Sequence, residues 1–132
     1  MDTQYSNCLL TFLNILDQTK LYHWQTNIHA RHKATDELYH GLNDLVDKFI
    51  ETLHGILIIN KKDNNYRILI NNDSITLLNI QDTKGIDFLY SIKNYLEGAV
   101  LKEIIDNNTD LQNIRDEMLA LVNKTIYLFT LS

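Results

Sequence analysis

The sequence predicts an all-α fold, a four-helix bundle in one domain over residues 1–132, and three observations predict it. The chain has no proline and only four glycines in 132 residues, so little in it interrupts a helix. Apolar residues recur at intervals of three and four along four stretches, the spacing of one buried helix face. One long stretch, 58–84, loses that spacing and carries several Asn and Asp residues, which favour turns. With 45% hydrophobic residues, the chain can fill one core and is too short for two.

The first helix is expected over about Thr3–Gln25, with Leu9, Phe12, Leu13 and Leu16 on its buried stripe. His23 lies seven residues past Leu16 and so falls on the same stripe. The second helix is expected over about His29–Leu57, burying Leu38, Leu42, Leu45, Phe49 and Leu53. In the stretch 58–84, Tyr66–Ile70 and Ile75–Leu78 have the composition of short extended segments. They predict either a small hairpin or an irregular crossover. A third helix fits about Ile86–Asp106, through Phe88, Leu89, Ile92, Leu96, Val100 and Ile104. Thr109 and Gln112 then have the spacing of a capping box for a fourth helix running to about Thr130. That helix is expected to bury Leu111, Ile114, Met118, Leu121, Val122 and Phe129. The only long connection joins helices two and three, as a one-crossover bundle requires when those helices run parallel.

Composition removes several function classes. A net charge of -5 argues against nucleic acid held on a broad basic surface. Lys61, Lys62 and Arg67 form the only local basic strip worth a gel-shift test. A single cysteine, Cys8, sits in an apolar helical stretch, which predicts a packing role and a reducing compartment, the cytoplasm. The first residues lack the charge and apolar run of a signal peptide, and no apolar run approaches the roughly 20 residues of a membrane span.

The chemistry concentrates in one segment. All five histidines lie between residues 23 and 54, together with Asp36, Glu37, Asp44, Asp47 and Glu51. Imidazole and carboxylate donors suit iron, manganese or zinc, and a lone cysteine leaves no thiolate cluster. At about 100° per residue, His29, His40, Asp47, Glu51 and His54 share a face about 160° from the core stripe of the second helix, with His32 between. Two readings of that face stand open: a solvated outer surface, or a surface covered by a second copy of the chain. Glu37 and His40 also form an ExxH pair of the kind di-iron bundles use, but only one copy exists.

The run Leu21-Tyr22-His23-Trp24-Gln25, then His32, Asp36-Glu37-Leu38-Tyr39, Leu45-Val46-Asp47 and Glu51 resembles the Dps-type miniferritins of the ferritin-like superfamily. His32 to Asp47 is 15 residues and Asp47 to Glu51 is four, as in that family. The interval from His23 to His32 is nine, where the family has twelve; a deletion of three residues in the turn accounts for it. The resemblance covers residues 9–55, and the stretch 58–84 departs from the family's short crossover helix. The segment His23-Trp24-Gln25-Thr26 is also similar to one in uncharacterised proteins of large DNA viruses and phages, and the Asn-, Ile- and Lys-rich composition suits an AT-rich genome. In a viral relative the compartment becomes the host cytoplasm.

The resemblance implies a ferritin-like four-helix bundle with a ferroxidase centre between two subunits. His23 and His32 of one chain would be nitrogen ligands, and Asp47 and Glu51 of the other the carboxylates. Trp24 would be an accessory residue that shields or buffers oxidising equivalents. The expected chemistry is oxidation of Fe(II), singly or as a di-iron pair, by peroxide or oxygen, with Mn or Zn able to substitute. The expected assembly is a homo-oligomer, a dimer at minimum or a larger shell. The alternative is a non-catalytic ferritin-like structural or interaction protein with a degenerate metal site, which the shortened turn and the unusual stretch 58–84 motivate.

Overall fold

The computed structural model describes residues 2–71 and 73–132; it is all-helical, with no strand among those residues. Helix α1 (Thr3–Gln25) and helix α2 (His29–Lys61) form an antiparallel pair joined by the short turn 26–28. A strap without regular secondary structure follows, described over residues 62–71 and 73–81, then one 3-10 turn (Asp82–Lys84). Helices α3 (Gly85–Glu97), α4 (Ala99–Ile105) and α5 (Thr109–Phe129) complete the chain.

Side-chain contacts fix the directions. Tyr22 meets Phe88 and Phe12 meets Tyr95, so α3 runs antiparallel to α1. Lys124 reaches Glu37 and Leu121 lies on Gly41, so α5 runs antiparallel to α2. Helices α2 and α3 therefore run parallel, which requires the strap to travel the length of the bundle. It has ample reach, since 20 extended residues span up to about 66 Å and α1 is only about 35 Å long. Around the bundle the neighbours are α1 with α2, α2 with α5, α5 with α3, and α4 with α1.

The core sits between all four layers. Phe12 packs edge-on against Phe49 at 5.1 Å between ring centroids, and Tyr22, Phe129, Leu38, Leu42, Leu53, Leu89 and Leu96 are buried with them. Burying each such side chain contributes roughly 1.5–3 kcal/mol. On α2 the stripe differs slightly from expectation: Val46 is buried and Leu45 only half-buried, because the buried face drifts as the helix winds past its neighbours. Gly41 has a specific role. A Cβ there would meet the tip of the Leu121 side chain, which the missing side chain lets lie directly on α2.

Three local expectations need correction. Helix α2 continues to Lys61, four residues past the expected end, and stops where Lys62 turns left-handed at φ 52°. The single third helix is two, because Gly98 adopts an extended ψ of 167° between α3 and α4. The Thr109–Gln112 capping box does not form: Asn108 is the N-cap, no side chain caps the helix, and the Gln112 carboxamide donates to the Ile105 carbonyl at 3.2 Å.

The strap is neither hairpin nor helix. It lies along α1, and side chains of that helix bond its backbone. Ser6 donates to the Leu69 carbonyl, and Asn14 to the Thr76 carbonyl at 3.0 Å. Gln18 makes both bonds that a neighbouring strand residue would make: its Nε2 donates to the Leu78 carbonyl at 2.7 Å and its Oε1 accepts the Leu78 N–H at 2.8 Å. At the start of the strap, His54 Nε2 accepts the Ile68 N–H at 3.0 Å while its Nδ1–H donates to the Ile50 carbonyl. Both ring nitrogens of His54 are thereby occupied in holding the strap. No helix among the described residues is long and apolar enough to cross a membrane.

Candidate metal centre

The end of α1 and the start of α2 are locked by a polar knot. The Asp82 carboxylate accepts from the Tyr22 hydroxyl at 2.7 Å, the Thr26 hydroxyl at 2.6 Å and the Asn27 N–H at 3.0 Å. Arg31 donates to the Asp82 carbonyl and to the Tyr22 hydroxyl, and its guanidinium lies 4.6 Å over the Phe129 ring. Burial pushes the Asp82 carboxyl upward, but the Thr26 and Tyr22 hydroxyls and the Asn27 amide outweigh it and hold the group below the ordinary carboxylate value. Burial of Tyr22 raises its phenol, so the hydroxyl stays a donor to Asp82. This knot spans residues 22–31 and so fixes the register of the two helix ends.

That register produces the histidine pair. His23 and His32 stack with ring centroids 4.0 Å apart and planes 15° from parallel. Each holds the other's backbone: His23 Nδ1–H donates to the His32 carbonyl at 2.7 Å, and His32 Nδ1–H donates to the His23 carbonyl at 2.9 Å. The Thr35 hydroxyl, which donates to the Arg31 carbonyl, is a second acceptor for His23 Nδ1–H at 3.2 Å. A carbonyl accepts only from a protonated nitrogen, so both rings carry a proton on Nδ1, and the neutral form of each leaves Nε2 as its lone-pair nitrogen. Fixing the tautomer through the distal ring nitrogen is how proteins prepare an imidazole for a metal. His23 is buried and His32 exposed, so the pair opens on one side to solvent.

Asp36 is the residue that sequence reasoning did not single out as a ligand. Its Oδ1 lies 3.9 Å from His23 Nε2 and 3.4 Å from His40 Nε2, on the open side of the pair. The His32, Asp36, His40 spacing of four residues was the available signal, because it puts all three on one face of α2. Glu37 is taken up by Lys124 at 2.7 Å, so Glu37 and His40 do not act together as an ExxH pair.

Asp47 and Glu51 lie elsewhere. Both are exposed, and His32 and Asp47 sit 15 residues apart on one unbroken helix, a separation of about 22 Å along its axis. Side chains cannot close that gap. No group of three His, Cys, Asp or Glu residues able to hold a metal ion forms within the chain, among the described residues. Asp47 instead edges a shallow apolar groove of about 270 Å³ between α1 and α2, walled by Leu9, Leu13, Leu16, Val46 and Ile50. Trp24 is 68% exposed, and the Lys20 ammonium lies 5.7 Å over its ring. Cys8 is fully buried beneath these helices; burial pushes its thiol up to about 11, so it offers no thiolate.

This arrangement defines an all-helical bundle with a prepared imidazole pair at one end of α2 and an exposed carboxylate pair further along it. The chain belongs to a family of unknown function, DUF5856, whose model matches residues 23–129 and so takes in His23, His32, Asp47 and Glu51. No curated protein and no solved structure matches the chain.

Proposed function

We propose that two copies of this chain, each a ferritin-like four-helix bundle of the Dps miniferritin type, oxidise Fe(II) with peroxide or oxygen at a shared site. His23 and His32 of one copy supply nitrogen, and Asp47 and Glu51 of its partner supply oxygen. The observation that carries this reading is the reciprocal histidine clasp, in which two stacked rings each use Nδ1 on the other's backbone and keep Nε2 out of the clasp. The parallel α2 and α3 joined by a full-length crossover support the ferritin-like assignment. The 22 Å separation supports the need for a second chain.

The donor set fits iron. Two imidazoles and two carboxylates are borderline-to-hard ligands that hold both Fe(II) and Fe(III). Peroxide takes up two electrons, one from each of two Fe(II) ions. Asp36, beside His23 Nε2, is a further oxygen donor for a second iron. The apolar groove at Asp47 and the exposed Trp24 provide the surface a partner would cover, bringing the tryptophan against the oxidation site.

The test is complementation. Stopped-flow oxidation of Fe(II) by peroxide is measured for wild-type protein, for His32→Ala, for Glu51→Ala and for the two variants refolded together. Each variant alone is expected to oxidise iron no faster than buffer. The mixture is expected to recover about a quarter of the wild-type rate, since half of the dimers are mixed and each carries one intact site. Wild-type rates no faster than buffer would leave the chain a non-catalytic interaction protein. Inactive variants with no recovery on mixing would place the site within one subunit.

A further inference from the structure

The side chains that hold the strap are of two kinds. Ser6, Asn14 and Gln18 use a hydroxyl and two carboxamides, groups that neither gain nor lose a proton near neutrality. The Tyr66 hydroxyl donates to Asp2 at 2.8 Å; burial pushes that phenol up to about 12, and the same bond lowers the Asp2 carboxyl, so this pair is also fixed in charge. His54 is different. Its Nδ1–H donates to the Ile50 carbonyl and its Nε2 accepts the Ile68 N–H, both at 3.0 Å. Only a neutral imidazole can do both, because the imidazolium carries a proton on each nitrogen and accepts nothing.

His23, His32 and His40 behave in the opposite way. The first two clasp backbone through Nδ1–H, so a proton added at Nε2 leaves both bonds standing. His40 Nε2 faces the Asp36 carboxylate at 3.4 Å, an arrangement that a charged ring strengthens. The titratable and charged neighbours of His54 are Glu51 a turn earlier on α2, Tyr66 and Arg67 just before Ile68 in the strap, and Tyr5 of α1 beside Tyr66. Glu51 is exposed, and Arg67 is turned to the Asn64 and Tyr66 carbonyls. Among the described residues no carboxylate pairs with the His54 ring.

We infer that His54 is an acid-sensitive latch: its protonation sets two N–H donors against each other, breaks the bond to Ile68 and frees the start of the strap. Ile68 is the one buried residue of the strap among the described residues, so the bond that acid breaks is the one that seats the strap in the core. Asn14 and Gln18 keep residues 76–78 on α1, and the release is local. Its place gives it a consequence. Ile68 on His54 and Leu69 on Ser6 carry the strap from α2 to α1, across the end of the apolar groove that Ile50 walls. The latched strap closes that end of the groove at neutral pH, and the released strap opens it in acid. The latch does not rest on the proposed iron site.

Amide hydrogen exchange at about pH 8 and about pH 5, the range in which imidazoles change charge, tests the latch once intrinsic rates are divided out. The Ile68 amide is expected to lose about tenfold or more of its protection in acid. The Leu78 amide, held by the Gln18 carboxamide, is expected to keep its protection. His54→Gln supplies a carboxamide oxygen that accepts at any pH, and is expected to protect Ile68 at both. His54→Ala is expected to leave Ile68 unprotected at both, and to admit trypsin to the Arg67–Ile68 bond at neutral pH, where wild type resists. Equal protection of wild-type Ile68 at the two pH values would overturn the inference. So would a parallel loss at Leu78, which would mean that the whole fold opens, or an unchanged acid loss in His54→Gln, which would assign the effect to another group.

Discussion

The two ends of the polar face of α2 are built in opposite ways. Around His23 and His32, two backbone carbonyls and the Thr35 hydroxyl hold the two rings, and the Arg31–Asp82 bond locks the turn beside them. Around Asp47 and Glu51 the structure provides exposed carboxylates beside a bare apolar groove. A half-site that is prepared costs stability to lose and changes little on binding. One that is merely displayed costs nothing to the fold and takes its order from whatever covers it. The contrast therefore separates residues whose loss is felt in folding from residues whose loss is felt only in assembly and chemistry.

The largest effect should come from the displayed end. Leu13→Asp puts a charge in the apolar groove at a position already 42% exposed. Peroxide-driven iron oxidation is expected to fall to the buffer rate and the dimer to dissociate in sedimentation. The urea midpoint should move little, since surface changes usually stay within about 0.5 kcal/mol. Retained oxidation by a monomeric Leu13→Asp protein would break the comparison. At the prepared end, His23→Ala removes the Nδ1–H bonds to the His32 carbonyl and the Thr35 hydroxyl and opens the core edge. A loss of about 1–3 kcal/mol in urea denaturation is expected, against less than about 0.5 kcal/mol for Glu51→Ala.

Thr35→Val keeps the shape and removes one acceptor of the His23 Nδ1–H, and should cost about 1 kcal/mol. Nitrogen NMR of the ring should then show a weaker preference for the Nδ1–H tautomer, with Thr35→Ser restoring it. The smallest effect is in the acid limb of stability. Asp82 is held below its ordinary value in the folded chain, so its contribution is complete at neutral pH and is lost as the pH falls through the folded value. Asp82→Asn should flatten that limb in acid titrations followed by circular dichroism. An unchanged limb would mean that the Tyr22–Asp82 knot does not stabilise the prepared end.

Much of the helical layout could be read from the sequence, because burial repeats every three to four residues. The limits of α1 and the start of α2 fall where the pattern of Leu9, Phe12 and Leu16, and then of Leu38 and Leu42, placed them. Gly98 was not legible as a break, since Phe88 through Ile104 keep their spacing across it and a glycine inside a helix is tolerated. The strap was illegible for a different reason. Its backbone is satisfied by Asn14 and Gln18, about sixty residues away, and no local pattern encodes that. At the candidate site, spacing picked out His23 and His32, but their mutual clasp depends on the short turn and on Asp82, which no motif connects to them. Asp36 was visible through the four-residue steps from His32 to His40, although the spacing of the acids alone did not rank it above Glu37 or Asp44.

The length of the strap also sets the order in which the molecule assembles. Helices α1 and α2 are neighbours in the chain and close on each other through the turn 26–28, a small loss of entropy. The bonds from Asn14 and Gln18 join residues 62 and 60 positions apart, and they form only after that pair is standing and α3 has somewhere to dock. Long-range closures of this kind are the slow ones. In refolding, the α1–α2 hairpin that carries the histidine pair and both acids is expected first, and the strap last. The uncharged residues 74–81 would stay loose until the end, which makes them the stretch most exposed to association between half-folded chains.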